Sequence, residues 1–131
     1  MAEKTQVKWN VEGGVILLTV HFNLEFLLER GAGERLSKEL TALYREIREK
    51  EEARVKTTSC IVEIQAEVAG SALVRALFEL WKEVRKEGGK VVCVNYPQDY
   101  IDSLTSLGIL ALKGFSLADT KAEAIRKLTR K

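Results

Sequence analysis

The run Trp81-Lys82-Glu83-Val84-Arg85-Lys86-Glu87-Gly88-Gly89, continuing at once into Lys90-Val91-Val92-Cys93-Val94-Asn95, decides the fold class. The first half closes a pattern in which Leu73, Ala76, Leu77, Leu80, Trp81 and Val84 recur at helical spacing and share one face. Gly88-Gly89 is a helix stop, because glycine takes the left-handed conformation without a Cβ clash. The second half is a short continuous apolar run, which suits a strand buried on both faces. A helix stopped by glycine and followed directly by a buried strand is one unit of an α/β chain.

The same unit recurs on either side. Upstream, Ser59-Cys60-Ile61-Val62-Glu63-Ile64 reads as a strand that feeds the helix through Ala66 to Ser71. Before it, Leu36, Leu40, Leu43, Tyr44 and Ile47 mark an amphipathic helix from about Gly33 to Arg48. Downstream, Pro97 opens a short helix holding Tyr100, Ile101 and Leu104. Ile109 to Leu112 reads as the last strand, and Ser116 with Asp119 suits a capping box before a helix bearing Ala122, Ile125 and Leu128. Alternating strands and helices predict parallel strands joined by crossovers.

The start of the chain is different. Val7, Trp9 and Val11 alternate with Gln6, Lys8, Asn10 and Glu12, the period of a half-buried strand. Glu12-Gly13-Gly14 is a hairpin signal, and Val15 to Phe22 reads as a more deeply buried partner. The stretch Asn23 to Gly33 is a connection. The expected architecture is a mixed sheet, an antiparallel hairpin plus parallel strands, with about four helices. With 131 residues, no repeat and no linker, one domain spanning 1–131 is expected.

Composition narrows the function. Twenty-one basic residues against 19 acidic leave a net charge of +2, which gives no footprint for nucleic acid or an anionic membrane. No apolar run approaches the roughly 20 residues that span a bilayer. Met1 to Gln6 is polar with no apolar segment behind it, so a cytoplasmic protein is expected. Cys60 and Cys93 each sit in an apolar run and read as buried reduced thiols. With one histidine, His21, and no Cys-x-x-Cys, no metal site and no cofactor is expected. Catalysis lacks parts as well: there is no Gly-rich phosphate loop, no Gly-x-Ser-x-Gly elbow and no base beside a nucleophile. Gly31-Ala32-Gly33 reads as punctuation, and Glu63 with Glu67 as ordinary strand-end acids. No catalytic residue is assigned.

The order of elements, together with the Gly-ended helix, the hydrophobic strand and Leu104-Thr105-Ser106-Leu107-Gly108-Ile109, resembles the STAS domain family. That family includes the bacterial anti-sigma factor antagonists, and the resemblance covers about Val7 to Leu128. It implies a non-catalytic regulatory domain that binds a serine kinase, an anti-sigma factor or other STAS proteins. A scaffold subunit of a STAS assembly and a nucleotide-binding module remain as alternatives.

Two departures from the family pattern bear on mechanism. The second strand of the family ends in Gly-x-Leu-Asp, where this chain has Phe22-Asn23-Leu24-Glu25, keeping an acid at Glu25 but not the glycine. The family loop Asp-Ser-Ser-Gly carries the phosphorylated hydroxyl, whereas this chain reads Glu67-Val68-Ala69-Gly70, with both hydroxyls gone. The stretch from Glu63 to Glu67 is also shorter than the family norm. The resemblance therefore assigns the partner-binding loop to Glu67, Val68, Ala69, Gly70 and Ser71. Ser71 is the only hydroxyl nearby, and as a first-turn residue it suits a helix start better than a substitute acceptor. Glu67 equally suits a first-turn acid facing the helix dipole.

Overall fold

A computed structural model describes residues 5–22, 29–65, 70–96, 102, 108 and 112–129. In chain order the elements are β1 (Thr5–Glu12), β2 (Val15–Phe22), α1 (Ala32–Lys50), β3 (Cys60–Gln65), α2 (Gly70–Lys86), β4 (Val91–Val94), β5 (Phe115–Leu117) and α3 (Lys121–Thr129). The strands form one sheet in the order β1-β2-β3-β4-β5. β1 and β2 pair antiparallel, and every later pair is parallel. The mixed sheet expected from sequence is the sheet observed.

Register explains the two cores. Ile16, Leu18 and Val20 of β2, Cys60, Val62 and Ile64 of β3, and Val91 and Cys93 of β4 bury against one helical layer. That layer brings Leu36, Leu40, Tyr44 and Ile47 from α1 and Leu73, Leu77, Leu80 and Val84 from α2. On the other face Val15, Leu17, Ile61, Val92 and Val94 meet Ala124 of α3, with Ile125 and Leu128 packed alongside. Strands covered on both faces need apolar residues at successive positions, which is why β3 and β4 read as continuous runs. β1 keeps its alternation because it stands at the sheet edge, with Val7 and Val11 against the core and Lys8 and Asn10 exposed.

Apolar burial, not surface charge, joins α1 to α2. Leu36, Leu40, Leu77 and Leu80 are all fully buried, and each such side chain contributes about 1.5–3 kcal/mol. Arg45–Glu83 and Arg48–Glu87 ion pairs also cross between the helices. Each has an exposed member, and such pairs contribute about 0–1 kcal/mol.

The C-terminal third departs from expectation. Ile109–Leu112 is not the last strand as far as it is described: Leu112 lies in a bend, and the strand is Phe115–Leu117. β5 is three residues long, pairs only with β4 and has one fully buried side chain, Phe115, so its sequence carries little strand signal. Ser116 consequently sits in β5 opposite Val92 and caps nothing. The cap of α3 is Thr120, whose hydroxyl accepts the Glu123 amide at 3.1 Å. The described residues contain three helices. The short helix expected after Pro97 lies outside them, apart from Asp102, which is helical.

The α2–β4 turn passes close against the backbone that leads into β3. Gly88 sits at φ 80, and the amides of Gly88 and Gly89 close on the carbonyls of Arg85 and Val84. Gly89 then passes so near the segment before β3 that a Cβ there would lie 2.6 Å from the Thr58 carbonyl oxygen. Tyr44 of α1 donates its hydroxyl hydrogen bond to that same carbonyl, and the Ser59 hydroxyl accepts the Lys90 amide at 2.8 Å. Gly89→Ala must therefore displace backbone rather than a flexible side chain. We expect it to lower unfolding free energy by about 1–3 kcal/mol in urea titrations; an unchanged transition midpoint would show that this contact yields freely.

Candidate functional site

Ligands and partners of open α/β sheets meet the carboxyl ends of the parallel strands. Here those ends belong to β2, β3, β4 and β5. β3 finishes at Gln65 and α2 starts at Gly70, leaving four residues, 66–69, between them. Of the loop assigned from sequence, Glu67, Val68 and Ala69 lie outside the described residues, as does Glu25. Gly70 and Ser71 are not loop residues but the first two positions of α2. A first-turn position is the one that serine was expected to suit.

The described residues around this strand end are mostly polar. Thr19 of β2 stands in register with Glu63 of β3, and its hydroxyl donates to the Glu63 carboxylate at 3.3 Å. His21 and Gln65 form the register pair two positions further on, both exposed. On the other side of β3, Asn95 follows the last residue of β4 with φ 55, the sole non-glycine among the described residues at positive φ. Its side-chain amide donates to the Ile64 carbonyl at 3.0 Å. Asparagine tolerates the left-handed region better than other residues with a Cβ. The bond fixes β4 to β3 just before the chain leaves the sheet for residues 66–69. Sequence reasoning passed over this residue, because its bond depends on which strand lies beside β4.

Two groups, the Tyr96 phenol just after β4 and the Cys60 thiol at the start of β3, are held in their neutral forms. Burial, then the Asp119 carboxylate, raises the Tyr96 phenol above its ordinary value. Cys60 is fully buried, and desolvation with the neighbouring Cys93 thiol raises it strongly, so it stays a thiol rather than a nucleophilic thiolate. Both cysteines are unbridged and buried on adjacent strands, as the sequence implied. Among the described residues no group of three or more His, Cys, Asp or Glu side chains is arranged to hold a metal ion. No helix among them is long and apolar enough to cross a membrane.

The flank of α2 carries a pair of aromatic residues. Phe78 and Trp81 stack with centroids 5.6 Å apart, and the Lys82 ammonium lies 5.2 Å from the Phe78 centroid. The Trp81 indole donates to the Lys113 carbonyl at 2.9 Å, tying α2 to the turn before β5.

An antiparallel hairpin continuing into parallel strands, with α1 and α2 on one face and α3 on the other, is the fold of STAS domains. The solved structure of the anti-sigma factor antagonist SpoIIAA in its unphosphorylated form superposes with a TM-score of 0.55 over 97% of this chain and 99% of that one, at 13% identity. No protein-family model matches the sequence, and no curated protein matches it.

The Asn95 bond predicts an order of stabilities. Asn95→Gly loses only the side-chain hydrogen bond, whereas Asn95→Ala also forces a Cβ into the left-handed region. We expect the alanine variant to be less stable than the glycine variant by about 1 kcal/mol in urea titrations. Equal stabilities would mean that the backbone leaves positive φ without cost.

Proposed function

We propose that this chain acts as a single STAS-like domain, a non-catalytic bacterial cytoplasmic regulator that works by binding another protein. Its partner-binding surface is the β3–α2 connection and the start of α2, Glu67, Val68, Ala69, Gly70 and Ser71, with Glu25, three residues past β2 in sequence, as a further acid. The observation that carries this reading is the sequence Glu67-Val68-Ala69-Gly70, running from the β3–α2 connection into α2, in a chain with the fold of an anti-sigma factor antagonist. The partner is a serine kinase or anti-sigma factor, or further STAS chains.

Phosphorylation adds roughly −1.5 to −2 charge and three acceptor oxygens, enough to break an apolar contact by desolvation and repulsion. Val68 and Ala69 have no oxygen to modify. The loop therefore stays in the unmodified, binding-competent chemistry, and control passes to the abundance of the protein or to its partner. The same constancy suits a scaffold position among other STAS chains.

The test is Val68→Asp, measured by capture from native lysate with mass spectrometry and by thermal melting in parallel. A carboxylate left unpaired in a dry contact costs about 2–5 kcal/mol, so capture of the kinase, anti-sigma factor or STAS partner is expected to fall at least tenfold with the melting curve unchanged. Undiminished capture by a folded variant would remove Val68 from the interface. A loss of fold would make Val68 a core residue instead.

A further inference from the structure

β1 is an outer strand of the sheet, and its free edge is closed at one end and open at the other. The two-residue turn makes Glu12 and Val15 a hydrogen-bonded pair, so Asn10–Leu17, Lys8–Thr19 and Gln6–His21 are hydrogen-bonded pairs too. Thr5, Val7, Trp9 and Val11 therefore turn their N–H and C=O groups to the outside. At Val11 both groups are already engaged. Its amide donates to the Asn10 side chain at 2.8 Å, and its carbonyl accepts from Arg54 at 3.4 Å. No such bond is made to the outward groups of Val7 and Trp9 among the described residues. Trp9 is also the sole exposed large hydrophobic side chain among the described residues, at 42%.

We propose that this open half of β1 pairs antiparallel with the same segment of a second copy of the chain, across a two-fold axis at Val7. Of the registers centred on Val7, Lys8 and Trp9, one is free of conflict. Pairing centred on Lys8 sets two lysines face to face, which destabilises a cross-strand contact. Pairing centred on Trp9 opposes Val7 to Val11, whose outward groups are taken. Centring on Val7 uses only open groups: Val7 meets its own copy, and Thr5 meets the second copy's Trp9. Gln6 and the second copy's Lys8 are then register partners at a non-hydrogen-bonded position. Trp9 lies diagonal to the second copy's Val7 on the face shared with α1, and its exposed surface is covered. Exposed edges are ordinarily blocked against such pairing; here Asn10 and Arg54 block one end and fix the register by leaving only the other.

Sedimentation equilibrium of the full chain, from micromolar to about millimolar concentration, reads this directly. Wild type should associate to a dimer and no further, because a two-fold contact is closed. Gln6→Lys, which opposes two lysines twice over, should weaken the dimer by roughly tenfold, and Gln6→Glu should tighten it by a similar factor. Val7→Pro removes an outward amide that makes no bond within the hairpin, and should leave a folded monomer by circular dichroism. A wild-type monomer across the range, including one whose edge takes only a different protein, would overturn the proposal. So would a dimer indifferent to charge at position 6.

Discussion

Ile61 and Val62 are neighbours in sequence and lie in opposite cores, Ile61 under α3 and Val62 under α1 and α2. Strand β3 is thus buried on both faces and paired on both edges, with β2 on one side and β4 on the other. A strand so placed has no freedom of register, since a slip by one residue would exchange its two faces and offer Glu63 to a core. The remaining elements take their positions from it. Its entry is held where Gly89 and Tyr44 converge on the Thr58 carbonyl, and its exit where Asn95 reaches the Ile64 carbonyl.

That arrangement separates two kinds of surface. At the carboxyl end of β3 the chain crosses to α2 in four residues, whose side chains are the proposed partner contact. At the β1 edge, backbone groups are displayed instead. On that proposal the first surface recognises a partner through side chains, with no hydroxyl at Val68 or Ala69. The second carries strand pairing, limited by Asn10 and Arg54 to the half furthest from the hairpin turn. Neither needs a polarised nucleophile, and the raised Cys60 and Tyr96 groups fit a fold whose chemistry is packing.

Sequence displayed the fold wherever burial imposes a period. The alternation of β1, the continuous runs of β3 and β4 and the apolar stripes of α1 and α2 each follow from which faces are covered, and each is legible residue by residue. The reading failed where burial is slight. β5 has only Phe115 deeply buried, so the richer apolar run at Ile109–Leu112 drew the strand assignment, and the cap moved from Ser116 to Thr120 with it. Of the candidate site, Ser71 as a first-turn residue was readable from helix-start chemistry. Asn95 was not, because its bond to Ile64 depends on the β3–β4 register rather than on any local pattern.

Native-state hydrogen exchange followed amide by amide tests the central role of β3 most directly. If the sheet, both helical layers and the exit to α2 depend on this strand, the amides of Ile61, Val62, Glu63 and Ile64 exchange only through global unfolding. Their opening free energy then equals the unfolding free energy from denaturant titration, while β5 opens at lower free energy. Exchange of the β3 amides well below the global value, with α1 and α2 still protected, would show that the helices hold together without β3 and would contradict the account.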